Sequence, residues 1–187
     1  MIRAANTQAI DEYDLLSTEL HRVQGPDGTL FHARLIKPAG FDPARTYPAI
    51  VMVYGGPHAQ TVSNQWAGLT WDQALAHRGF VIWQLDNRGS AGRGHLWESK
   101  VFRQFGKQEL ADQLTGLDYL TKLGFVDAAR VGMYGWSFGG YMTLYSLFHA
   151  PDRFAAGVSG AAVTDWRLYD SIYTERYMGL PQQNEVG

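Results

Sequence analysis

Two unbroken apolar runs, AIVMVY at 49–54 and FVIWQL at 80–85, leave no polar face for water. A strand of that kind must be covered on both sides. Shorter runs follow, RVGMYG at 130–135 and FAAGVSG at 154–160, and between them the residues over about 65–78, about 108–123 and about 138–149 carry helical spacing. The order β-α-β-α-β-α-β predicts an α/β chain with a mostly parallel sheet and helices on both faces, because parallel neighbours need a crossover. Upstream, TELHRVQG (18–25) and TLFHARLIK (29–37) flank Gly25-Pro26-Asp27-Gly28. Proline presets one φ there and the glycines accept positive φ, so a β-hairpin is expected. Residues 1–16 are polar and read as a lead-in from something upstream, which leaves 17–187 as the domain. With 45% hydrophobic and 13% aromatic residues, 187 residues supply the core of one domain.

Charge and composition exclude several roles. The formal charge of −2 and pI near 6.3 come without a Lys/Arg run. Neither a nucleic-acid nor an anionic-membrane partner has an electrostatic footprint. No apolar run approaches the roughly 18 residues that cross a bilayer, and the first residues hold no apolar h-region. Without cysteine there are no disulfides, thiolate metal sites or cysteine nucleophiles. The histidines at 21, 32, 58, 77, 95 and 149 form no H-x-x-x-H pair, so no metal site is expected. Localisation is left unassigned.

Gly135-Trp136-Ser137-Phe138-Gly139 matches G-x-S-x-G, between a predicted strand and a predicted helix. Flanking glycines let the two elements approach while Ser137 sits on a tight turn with its hydroxyl above the sheet. A serine that attacks a carbonyl also needs donors for the developing oxyanion. The backbone N–H of Phe138, just after the nucleophile, is the first. The segment VYGGPHAQ (53–60) leaves a buried strand and bends at Gly55-Gly56, which places Tyr54 at the strand tips. There its hydroxyl reads either as a second donor or as that of an ordinary strand-end tyrosine. DNRGSAGRG (86–94) is neither G-x-G-x-x-G nor a Walker loop, and no nucleotide chemistry is assigned to it.

In AAVTDWRLYDSIYTERYMGLP (161–181), Trp166, Tyr169 and Tyr173 fall at i, i+3 and i+7, one stripe of a helix starting just after 154–160. Such a stripe is either core or, beside the strand tips where open α/β sheets bind ligands, the wall of a pocket.

These motifs in order, YGGPHAQ, DNRGSAGRG, GWSFGGYMT and WRLYDSIYTERYMGLP, make the chain resemble the prolyl oligopeptidase family of serine peptidases, within it the dipeptidyl peptidase IV branch, from about residue 10 onward. The resemblance implies an α/β-hydrolase fold, Ser137 as nucleophile, and Tyr54 and Phe138 as oxyanion donors. It also implies that Phe138, Val163, Trp166, Tyr169 and Tyr173 form the pocket for the residue before the scissile bond. Such walls suit proline, whose flat ring brings no N–H that would need an acceptor. A peptide substrate, no cofactor and, for the complete protein, a homodimer are further implications. The family's β-propeller, which captures the free amino terminus of the substrate, is expected upstream.

In this fold the acid and base follow the nucleophile in the order Ser, Asp, His. Of the fifty residues after Ser137, only His149 is a histidine. Twelve positions along one helix, at 1.5 Å per residue, put it about 18 Å away. His58 precedes the serine and matches no catalytic position of the family, and Asp165 and Asp170 come too early for its acid. The last two strands of the fold, with the Asp and the His, are therefore expected outside the chain. Loss of the histidine costs on the order of 10⁶ in turnover, about 8 kcal/mol, so the 187 residues alone are expected to hydrolyse peptides negligibly. The strand at 154–160 is expected to present an open, aggregation-prone edge. Two other readings stay open: an acylaminoacyl peptidase or esterase on the same fold, and a non-catalytic module that kept the fold.

Overall fold

The structure, a computed structural model, describes residues 12–65 and 68–185. β1 (Thr18–Gln24) and β2 (Leu30–Ile36) form the expected hairpin, followed by β3 (Tyr47–Val53), α1 (Trp71–His77), β4 (Val81–Asp86) and the short α2 (His95–Glu98). Then come α3 (Lys107–Lys122), β5 (Val126–Trp136), α4 (Phe138–His149), β6 (Ala156–Gly160) and α5 (Ser171–Met178). The strands form one sheet in the order β1-β2-β4-β3-β5-β6. β4, β3, β5 and β6 run parallel, while the hairpin joins antiparallel through β2 against β4.

Side-chain alternation along the strands divides the core between two faces. Ala49, Val51, Val53, Val81, Trp83 and Leu85 point to the side that also buries Leu117 and Leu120 of α3 and Met142 of α4. Ile50, Met52 and Ile82 point the other way, against Leu75 and Ala76 of α1. The unbroken apolar runs are thus explained, since β3 and β4 lie inside the sheet with helices over both sides.

Three local expectations change. The helix expected over about 65–78 extends only over Trp71–His77, because the backbone is still extended at Thr70 (φ −111, ψ 168); residues 66–67 lie outside the described residues. β5 begins earlier than 130. Val126 pairs with Tyr47, and the register then slips so that Ala49 meets Val131. Asp127 stabilises that irregularity by accepting from Ala129 N at 3.0 Å and from Arg130 Nε at 2.7 Å. The aromatic stripe is not one helix. Trp166–Leu168 form a 3-10 turn capped by Asp165, the chain extends through Tyr169, and Asp170 caps α5 by accepting from Tyr173 N at 2.8 Å. Two aspartates within six positions each offer a helix start, and the backbone takes both.

Arg88 ties the hairpin to α3 at the strand tips. Arg88, just after β4, binds Asp112 of α3, whose side chain is 1% exposed, and reaches Asp27 in the β1–β2 turn at 2.7 Å. At the opposite margin β6 pairs only with β5 among the described residues, and Val158 is 63% exposed. No described helix is long and apolar enough to cross a membrane.

Candidate active site

The turn from β5 into α4 is built by close backbone approach. A Cβ on Gly139 would lie 2.2 Å from the Val53 carbonyl oxygen, and one on Gly135 would lie 2.2 Å from the Gly139 carbonyl oxygen. Only hydrogen fits at either position, so the start of α4 nests against the ends of β3 and β5. Between the glycines, Ser137 takes φ 58, ψ −118, a conformation L-residues rarely adopt. Its N–H donates to Gly160 O at 2.9 Å, and its carbonyl accepts Tyr141 N at 3.0 Å. The backbone is therefore held from both sides while the half-buried hydroxyl stays free, with no hydrogen bond to a described residue.

The two residues expected from the sequence as donors both lie at the start of α4. Phe138 opens α4, so its N–H is one of the four helix-start donors without an intrahelical acceptor. Tyr54 follows β3 directly and its ring lies 6.0 Å from that of Phe138. Burial raises the pKa of Tyr54, the phenols of Tyr169 and Tyr177 add to the rise, and Tyr173 works against it. A hydroxyl held neutral at physiological pH is the form that donates. Burial, then the nearby Tyr54 and Tyr177, also raise Tyr173. The Tyr54 and Tyr173 hydroxyls are neighbours short of hydrogen-bond geometry, since Tyr173 Oη is buried without a partner.

The expected pocket residues come together unevenly. Phe138 is 2% exposed, and Trp166 packs 5.4 Å from it, ring centre to ring centre. Tyr173 stacks on Trp166 at 6.2 Å, and Tyr169 meets both, edge on, at 5.9 and 5.7 Å. Val163 is buried but lies outside the cluster that holds Phe138, Trp166 and Tyr173. A cavity of about 700 Å³ touches Trp166 and Tyr169 and is otherwise lined by residues such as Thr174, Met178 and Pro181. Ser137 and Tyr54 do not line it.

Sequence reasoning missed Phe105. It is 6% exposed and packs edge on against Phe138 at 5.0 Å and Trp166 at 4.8 Å, forming the back of the aromatic group. It sits in an aperiodic segment, so no local pattern marks it. Its carbonyl accepts the Tyr141 hydroxyl at 3.0 Å. The next residue, Gly106, donates its N–H to Glu109 Oε2 at 2.9 Å, the reach-back arm of a capping box.

Glu109 is fully buried, and its Oε1 has no partner. Burial, with Asp112 adding, raises its pKa from 4.5 to about 8 against the pull of the backbone N–H groups. The folded state therefore binds more protons than the unfolded chain between those values, and stability falls as pH rises through that window. The loss is at most on the order of 5 kcal/mol. Glu109→Gln keeps the bond to Gly106 without the charge. It is expected to flatten the decline in urea-unfolding free energy between pH 5 and pH 8.5; an unchanged decline would place the pH dependence elsewhere.

No histidine in the described residues bonds to Ser137. His149 turns Nδ1 to the Tyr145 carbonyl at 2.9 Å and stacks on that ring at 3.9 Å. His58 pairs with Glu98 at 3.1 Å, and His21 lies between Tyr119 and Glu19. Among the described residues no group of three or more His, Asp or Glu is placed to hold a metal ion.

The sequence model of the prolyl oligopeptidase family matches residues 68–187. Dipeptidyl peptidase 8 of Homo sapiens is 40% identical over 177 residues, 93% of this chain and 20% of that protein. The Mus musculus dipeptidyl peptidase 8 matches at the same identity and coverage. The crystal structure of Porphyromonas gingivalis dipeptidyl peptidase 4 superposes with a TM-score of 0.91 at 38% identity, covering 96% of this chain and 26% of that one. The chain thus spans about a fifth to a quarter of the length of these relatives.

Proposed function

This chain belongs to the prolyl oligopeptidase family, and from that premise we propose that it carries the nucleophile, oxyanion donors and proline pocket of a dipeptide-releasing serine peptidase. One observation supports this above the others: Ser137 is held at φ 58 between two glycines that admit no side chain, with its hydroxyl free. In this reading Ser137 Oγ attacks the carbonyl after a penultimate proline or alanine. The Phe138 N–H and Tyr54 Oη take up the charge developing on the carbonyl oxygen. Collapse expels the amine and leaves an acyl-enzyme on Ser137, which water then hydrolyses.

The base that accepts the serine proton, and the carboxylate that orients it, are supplied by residues other than these 187. Residues 17–187 are then part of a hydrolase domain and 1–16 its lead-in. The pocket walls are Phe138, Trp166, Tyr169 and Tyr173, and Val163 is assigned to the pocket on the resemblance alone. Neither a metal nor an organic cofactor takes part.

The test is a comparison of three substrates on the full-length protein: a Gly-Pro chromogenic dipeptide, an acetyl-alanyl peptide and a butyrate ester. Preference for Gly-Pro by at least tenfold in kcat/KM is expected. Preference for the acetylated peptide or the ester would move the assignment to another branch of the fold. The 187-residue chain on its own is expected to turn over none of them above background, and enzyme-like turnover by it would refute the external base.

A further inference from the structure

We infer that Asn87 and Gln113 are positioning residues for the oxyanion hydroxyl: two buried carboxamides in series fix the bend that aims Tyr54. The inference rests on the proposed role of Tyr54. Gly55, the residue after it, sits at φ +79, and its carbonyl accepts Asn87 Nδ2 at 3.0 Å. The same nitrogen donates to the Arg88 carbonyl at 2.7 Å. Asn87 Oδ1 accepts Gln113 Nε2 at 3.0 Å, and that nitrogen also donates to the Leu85 carbonyl at 3.0 Å.

Every partner of the two amide nitrogens is an oxygen, so neither group can turn over without setting oxygen against oxygen. Asn87 is 1% exposed and Gln113 2%, which leaves no solvent to replace a lost bond. Among the described residues no other group donates to the Gly55 carbonyl. The loop is also closely packed. A Cβ on Gly55 would lie 3.1 Å from Met142 Cγ and 3.3 Å from Asn87 Oδ1, and one on Gly56 only 2.7 Å from the Tyr54 ring. Because the ring lies back over Gly56, the direction of its hydroxyl follows the path of the Gly55–Gly56 peptide, whose carbonyl Asn87 holds. Oxyanion donors act within a few tenths of an ångström, and a displacement of about 1 Å costs on the order of 10²-fold in rate.

The experiment is a double-mutant cycle on the full-length peptidase with a Gly-Pro chromogenic substrate. Tyr54→Phe is expected to lower kcat about 10²- to 10³-fold. Asn87→Ala is expected to lower kcat about 10- to 100-fold with KM within about threefold, and to add no more than about twofold in the Tyr54→Phe background. A merely structural Asn87 would lower kcat by the same factor in both backgrounds, and that result, or an unchanged kcat, overturns the inference. If Tyr54→Phe alone leaves kcat intact, the oxyanion assignment fails first, and visibly so. Should Asn87→Ala not fold, Gln113→Met removes the second amide at similar volume. It is expected to lower kcat about three- to tenfold, again only where Tyr54 is present, and an equal loss without Tyr54 overturns the inference.

Discussion

Ser137→Ala in the full-length peptidase is expected to lower kcat by about 10⁶, about 8 kcal/mol of transition-state stabilisation. Without Oγ no acyl-enzyme forms, and the remaining donors can only polarise a carbonyl that nothing attacks. The thermal midpoint should barely move, because the hydroxyl makes no hydrogen bond to a described residue and alanine inherits the same backbone at φ 58. Single-turnover mixing should show no burst of the amine product. A residual rate within about a hundredfold of the parent would mean that another group is the nucleophile.

The second large effect is on folding. In Gly139→Ala the new methyl would stand 2.2 Å from the Val53 carbonyl oxygen and 3.1 Å from Tyr54 Cα, both backbone atoms at the end of the central strand. No side chain is there to rotate away, so α4 must lift off β3, at about 3 to 5 kcal/mol. Gly132→Ala in the adjoining β5 is the control. Its Cβ would meet nothing nearer than 3.6 Å, and a change of less than about 1 kcal/mol is expected. Urea melts of the two variants decide it. Equal stability would show that the nesting of α4 on β3 can be relaxed cheaply.

The fold was legible where one chemical constraint dominated. Apolar runs with no polar face had to lie inside the sheet, and Gly25-Pro26-Asp27-Gly28 had to turn. Ser137 was legible for a similar reason, because the flanking glycines mark a backbone contact that any side chain would block. The aromatic segment was harder. Trp166, Tyr169 and Tyr173 fit one helical stripe equally well, but Asp165 and Asp170 each cap a separate start, and competition between caps does not register in a count of apolar spacing. Phe105, Asn87 and Gln113 were out of reach for another reason. Asn87 and Gln113 are 26 positions apart, and only the crossing of α3 behind β4 brings their amides together. The same holds for the buried Glu109, whose place in the sequence reads as an ordinary acidic residue in a first helical turn.

The hydrogen bond from the Ser137 amide to the Gly160 carbonyl closes the ladder between β5 and β6, and β6 is the margin of the described sheet. Margins are the first regions of a sheet to open in partial fluctuations, well before the interior yields. Once that bond lets go, a residue held at φ 58 relaxes toward an ordinary conformation, and the hydroxyl leaves its station above the sheet. In the 187-residue chain, warming would then release the Ser137 hydroxyl while the centre of the sheet was still folded. A strand paired along residues 156–160 would therefore do more to keep Ser137 at its station than a better-filled interior, which would protect a part of the chain that fails last.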